Sequence, residues 1–175
     1  MRFFEYLLIC LWAVLSASAS AQSIATGTTA EVVGVYFSPS DPVASVIVKT
    51  IDASQREVLV QAYGFTHNGI AQALVRAHRR GVNVRVLLDQ RSQATNQYVM
   101  GVLTEAHIAL RQDGKHAIAH NKVMVIDQNL VITGSFNFTN AAATRNAENL
   151  LILRSEALAE QYRQEWLGHW AHGVE

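Results

Sequence analysis

The chain is poor in the residues that usually announce an unusual architecture. Among 175 residues there is one cysteine and there are two prolines, and only 16% are charged. A lone thiol excludes a disulfide framework and any cysteine-built zinc module. Few prolines, ten glycines and a hydrophobic half exclude a collagen-like, low-complexity or disordered polymer. Fourteen bases balance fourteen acids, so no global positive field draws nucleic acid or an anionic membrane. Any site for a polyanion has to be a local pocket. The length suits one globular domain.

One apolar run stands out, Tyr6 to Leu15, after Arg2 and ahead of Ala19-Ser20-Ala21. A basic start, a short apolar core and a small-residue cleavage site predict a signal peptide over 1–21, cut after Ala21. A buried amphipathic helix is the alternative, but small residues follow directly and no polar face emerges. The run is shorter than the roughly 20 residues of a membrane span, so none is expected in the mature chain. Cys10 lies inside the run, and Ile9 before it does not suit lipid modification. Cleavage leaves a chain without any thiol, which tolerates an oxidising compartment. A periplasmic or secreted protein is expected.

Residues 22–30 form a small, polar lead-in, and 31–175 are expected to be one catalytic domain. Glu31 to Phe37 reads as a strand, and Ser38 to Pro42 as a turn, with Asp41 as N-cap and Pro42 at the first helical position. Val43, Val46, Ile47 and Ile51 recur at helical spacing to about Ser54. A strand follows over Glu57 to Tyr63, then a helix capped by Asn68 and stopped by Gly81. Val82 to Leu88 is an apolar strand, and Ser92 opens a helix ending near Glu105. Farther on, Ala117 to Ile126 reads as a strand. Asp127-Gln128-Asn129 is a tight turn and Leu130 to Thr133 the return strand. Glu148 to Leu153 is another strand, and Ser155 caps a final helix. Successive strand–helix units predict an α/β fold with a mixed, largely parallel central sheet and helices on both faces.

The chemistry concentrates in His120-Asn121-Lys122-Val123-Met124-Val125-Ile126-Asp127, of the form H-x-K-x4-D. On a strand, His120 and Lys122 project to one face. A lysine on an otherwise apolar strand is costly to bury without a partner, so the pair calls for an anion. Gly134-Ser135-Phe136-Asn137-Phe138-Thr139 then offers a hydroxyl and an amide, both suited to phosphate oxygens. The hairpin would bring the two segments together. With this composition, about 0.003 chance matches to H-x-K-x4-D are expected in the chain.

These residues resemble the phospholipase D superfamily, whose signature is H-x-K-x4-D followed by G-S-x-N. Ala62-Tyr63-Gly64-Phe65-Thr66 and Gly81-Val82-Asn83-Val84-Arg85-Val86-Leu87-Leu88-Asp89 look like the family's upstream strands, and Glu148 like its downstream acid. A single signature in so short a chain looks most like the small bacterial endonuclease branch. The resemblance implies a phospholipase D-like α-β-α sandwich and a metal-independent phosphodiesterase with no cofactor, working through a phosphohistidine. His120, Lys122, Asp127 and Glu148 are the expected catalytic set, and Lys122, Ser135 and Asn137 the expected phosphate ligands. Glu148 would accept a hydrogen bond from the His120 ring, and Asp127 would mainly anchor the hairpin or a nearby cation. One histidine cannot readily both attack phosphorus and protonate the leaving oxygen on the opposite side. A homodimer sharing one site, with two copies of His120, is therefore expected.

Two other groupings compete for attention. His116 and His120 are four apart and His169 and His172 three apart, but neither pair shows a third metal ligand. His169 and His172 are expected on a helix surface or a dimer contact. Arg76, His78, Arg79 and Arg80 read either as the solvated end of a helix or as a phosphate-tracking patch. The leading substrate is DNA, with RNA as a second polymer. Phospholipid headgroups are the first alternative, set back by the lack of an exposed Lys/Arg-rich amphipathic segment. An inactive nucleic-acid-binding module is the second, set back by the complete residue set.

Overall fold

The computed structural model describes residues 27–175, so the expected signal peptide and most of the lead-in lie outside the described residues. Along the chain run β1 (Glu31–Ser38), α1 (Val43–Asp52), β2 (Glu57–Ala62), α2 (Asn68–Arg79), β3 (Asn83–Asp89) and α3 (Gln93–Glu105). They are followed by β4 (Ala109–Asp113), β5 (Lys122–Ile126), β6 (Leu130–Gly134), α4 (Asn140–Thr144), β7 (Glu148–Arg154) and α5 (Glu156–His172). Among the described residues no helix is long and apolar enough to cross a membrane.

The strands form one seven-stranded sheet in the order β1-β7-β6-β5-β2-β3-β4. It is mixed, and its parallel part is confined to β2-β3-β4. The other four pairings are antiparallel, so the parallel share is smaller than expected. The reason lies in the connections: α2 and the segment containing α3 supply crossovers, whereas β5 and β6 are joined by a tight turn that permits only antiparallel pairing. Asp127 and Gln128 hold φ of 53° and 58° in that turn, the hairpin geometry that suits a right-handed twist.

Strand alternation sorts the core into two layers. Val58 and Val60 of β2 face α1, α2 and α3 together with Ile47, Leu74 and Val99. Leu59 between them faces α5 with Val123, Val125 and Trp166. Trp166 is 1% exposed, and its indole N–H donates to the Val60 carbonyl at 3.0 Å. Beneath α5, Glu57 takes Arg85 at 2.9 Å and Arg163 at 3.1 Å, which compensates its buried charge.

Several local boundaries differ from the sequence expectation. Asp41 does not cap α1: its carboxylate accepts the Phe37 N–H at 2.7 Å, and Pro42 occupies the cap position. The N-cap of α2 is His67, whose Nδ1 accepts from Ile70 N–H at 3.3 Å, and Asn68 is the first helical residue. Gly81, at φ +89°, stops that helix as expected. Ser155 caps α5 through Leu158 N–H, also as expected. β4 was not anticipated, because Ala109-Leu110-Arg111-Gln112-Asp113 carries too little apolar character to read as a strand. It is an edge strand, where polar residues are tolerated.

Candidate active site

Three strand ends and two strand starts meet at one end of the sheet. Ala62 at the end of β2 pairs with Lys122 at the start of β5. Gly134 at the end of β6 pairs with Leu150, and Ser38 at the end of β1 pairs with Glu148 at the start of β7. An open pocket of about 400 Å³ there is lined by His120, Lys122, Gly134, Ser135, Asn137 and Glu148. Five of the six residues expected to carry the chemistry are thus brought together.

His120 stands just before β5 rather than on it, so strand alternation is not what aligns it with Lys122. The segment before it is held by Ala119 N–H, which donates to Asp89 Oδ1 at 2.8 Å. After it, the Asn121 carbonyl accepts the Tyr63 N–H at 3.0 Å. The imidazole is exposed and lies edge-on to the Tyr63 ring, with centroids 4.7 Å apart. Lys122 is 8% exposed. Its ammonium donates to the His120 carbonyl at 2.9 Å and sits 5.5 Å from the Tyr63 ring centroid. Burial pulls the Lys122 pKa below that of an ordinary lysine, and the nearby Glu148 charge resists the change.

The second segment is built by backbone clamps. Gly134, at φ +151°, lies so close to the Asn149 carbonyl that a Cβ would overlap it. Ser135 N–H donates to that same carbonyl at 3.1 Å. Phe138 N–H donates to Gly64 at 3.0 Å, and the Phe138 carbonyl accepts from Thr66 and His67. Asn137 is thereby pinned between β6 and the loop after β2. Its Oδ1 is buried and has no hydrogen-bond partner among the described residues. That oxygen can only accept, so a phosphate oxygen would have to take its hydrogen bond from the amide N–H2.

One expected contact is not made, and one expected residue lies apart from the rest. Glu148 does not bond to His120 among the described hydrogen bonds. Its Oε2 accepts the Ser135 hydroxyl at 2.6 Å and its Oε1 the Asn146 amide at 3.0 Å. The cause is position: Glu148 starts β7, two strands away from β5, with β6 and Ser135 between them. Asp127, expected among the catalytic residues, is not in the pocket at all. It follows the far end of β5, about 16 Å from Lys122 at 3.3 Å per residue. Its carboxylate accepts the backbone N–H groups of Gln55, Arg56 and Glu57 at 2.9, 2.7 and 3.0 Å. The anchoring role expected for it is the one the geometry allows.

The remaining groupings also resolve. Arg76 pairs with Asp52 at 2.8 Å, and Arg80 donates to the carbonyls of Ile51 and Ser54. They clasp α1 to the far end of α2, a helix that starts beside the pocket and runs about 18 Å away from it. Arg79 stays exposed there. His116 does not gather with His120. It meets Asp113, His169 and His172, whose ligand atoms all lie within 4.8 Å of one another. This grouping was hidden in the sequence because Asp113 and His169 are 56 positions apart. Sequence reasoning also passed over Asn96, which is fully buried. It accepts from Phe65 N–H at 2.7 Å and donates to the Tyr63 carbonyl at 2.8 Å, holding the loop under His120. A buried polar residue in an otherwise ordinary helix leaves no periodic signal.

An exposed imidazole, a buried ammonium and an asparagine side chain around one open pocket suit phosphodiester chemistry. Residues 47–170 match the family described as cardiolipin synthase, PLD-like domain. A phospholipase D of Rickettsia conorii is 42% identical over 139 residues, covering 79% of this chain and 70% of the relative. A mitochondrial cardiolipin hydrolase of Xenopus tropicalis is 34% identical over 117 residues, covering 67% of this chain and 56% of the relative. Among solved structures, Nuc of Salmonella typhimurium, a phospholipase D family member, superposes with a TM-score of 0.79. It is 34% identical and covers 83% of this chain and 97% of its own. NucT of Helicobacter pylori shares the fold at a TM-score of 0.74 and 23% identity, covering 81% of this chain and 96% of its own. The chain belongs to the phospholipase D superfamily and is a phosphodiester hydrolase.

Proposed function

We propose that this hydrolase is a non-specific endonuclease of DNA, with RNA as a second polymer, and that it works as a homodimer with no metal in the catalytic step. The observation carrying this reading is the convergence of exposed His120, buried Lys122 and the Asn137 side chain in one open pocket. A phosphodiester placed there would give its nonbridging oxygens to Lys122 and Asn137. Ser135 already donates to Glu148, so it serves the phosphate as a polarised neighbour rather than as a free donor.

In the first step, His120 of one copy attacks phosphorus, forming a P–N bond as the P–O bond to the leaving group breaks. His120 of the second copy gives the leaving oxygen its proton. It then removes a proton from water, whose oxygen attacks phosphorus and releases the first imidazole. Val33, Val35 and Phe37 support a second copy. They alternate along edge strand β1 and leave an apolar strip uncovered, and the strip ends at Ser38, opposite Glu148. Their solvent exposures are 40%, 48% and 54%. A lone domain seldom leaves such a strip on an edge strand bare.

The polymer reading draws on the likeness to Nuc, which this chain matches over 97% of that protein's length. A phospholipase reading draws support from the relatives named phospholipase D and cardiolipin hydrolase. Plasmid nicking by the mature protein in excess EDTA, beside His120→Ala and phospholipid hydrolysis, separates the two. Nicking that survives EDTA and falls at least about a thousandfold in the variant is the expected result. Headgroup release with intact DNA would overturn the endonuclease reading in favour of the lipid.

A further inference from the structure

The edge of the sheet farthest from β1 holds a second cluster of chemistry-bearing side chains that phosphodiester hydrolysis does not use. Asp113 ends β4, and His116 lies three residues on, in the loop that leads to His120. His169 and His172 come from the last turn of α5. The Asp113 carboxylate is fully buried and faces all three imidazoles. Its Oδ2 lies 2.6 Å from His169 Nδ1 and 3.2 Å from His116 Nδ1, and its Oδ1 lies 3.2 Å from His172 Nε2. The rings gather around it, tilted to one another, with centroids 4.8 to 5.6 Å apart.

We propose that Asp113, His116, His169 and His172 form a structural site for a divalent transition-metal cation of the zinc type. Three imidazole nitrogens and one carboxylate oxygen are a complete tetrahedral donor set. Such a site needs ligand atoms about 3.3 Å apart around a metal held at 2.0–2.1 Å. The present spread, no greater than 4.8 Å, closes to that by small side-chain rotations. The outer contacts also suit it. His169 turns its other nitrogen, Nε2, to Glu165 Oε1 at 3.3 Å, the carboxylate–histidine arrangement that orients metal-bound imidazoles. Lys115 N–H donates to Asp113 Oδ1 at 3.0 Å, which leaves Oδ2 for the metal.

Polarity and placement agree with a cation. His169 and His172 sit at the C-terminal end of α5, the negative end of the helix dipole. His116 is the most exposed of the four, 44% by side chain, and gives the metal its way in. Four protein ligands leave no open position for substrate, so the metal takes no part in the reaction. It ties the loop carrying His120 to α5, beside the short bridge between Gln112 and Val174.

The test uses the full mature chain without a histidine tag. Zinc titrated by calorimetry should bind one equivalent per chain and raise the melting temperature by about 5 °C or more. A His116→Gln, His172→Gln double variant should lose both effects. Cobalt added to the wild type should give the intense visible absorption of a four-coordinate site, a readout that needs no variant to fold. Glu165→Gln, which keeps all four ligands, should weaken zinc binding about tenfold. No stoichiometric zinc, equal binding in the double variant or a weak octahedral cobalt spectrum would overturn the site.

Discussion

Lys122 has to meet two opposing demands. The pocket needs its positive charge, yet the residue is 8% exposed and surrounded by strand. Burial lowers its pKa, so the ammonium is lost at a lower pH than in an exposed lysine. Turnover should accordingly fall on the alkaline side below the usual lysine range, and Lys122→Arg, which keeps its charge, should remove that limb from its own residual pH–rate profile. Lys122→Met should cut kcat about a hundredfold or more, from the lost phosphate contact. The same variant should melt higher than the wild type, because charging a lysine whose folded pKa is depressed costs stability at every pH below that pKa. A lower melting temperature for Lys122→Met would show that the ammonium is held by compensating bonds.

Elements are fixed by few contacts, each of which can be removed. Asp127 closes the β5–β6 turn onto the start of β2 through three backbone N–H groups. Asp127→Ala should lose about 2 kcal/mol in urea unfolding, the order expected for hydrogen bonds to a charged acceptor. The folded enzyme should keep its kcat within a few-fold, and a hundredfold loss would return Asp127 to the catalytic group. Trp166 secures α5 to the sheet by packing and by its bond to Val60. Trp166→Ala should cost about 3–5 kcal/mol, measured by the same unfolding curve.

The uncovered strip on β1 is the feature of the whole molecule that bears on mechanism. α5 packs across β2, β4, β5 and β6 on its face of the sheet, and among the described residues nothing covers Val33, Val35 and Phe37 of β1. If a second copy covers that strip, Phe37→Glu should give a monomer by light scattering. Because the other copy's His120 would leave with it, turnover should fall at least about a hundredfold. A monomer that stays fully active would break the shared-site mechanism. Excess His120→Ala protein mixed with wild type should likewise depress activity by forming mixed pairs.

The residue types and short spacings of the chain were enough for the local parts. H-x-K-x4-D and G-S-x-N mark the pocket, the Asp127–Asn129 turn marks the hairpin, and period-two and period-3.6 patterns mark most elements, because each is set by neighbours a few positions apart. What depended on folding was every relation across distance. Glu148 faces Ser135 rather than His120 because β6 intervenes between their strands. Asp127 lies outside the pocket because five strand residues carry it to the far end of β5. β4 took shape only as an edge strand beside β3. Asp113 and the three histidines met because α5 crosses the sheet to its opposite edge. Spacing along a chain encodes which face a side chain takes. Which faces then meet depends on strand order and helix docking, and those follow from burying apolar surface over the whole sheet.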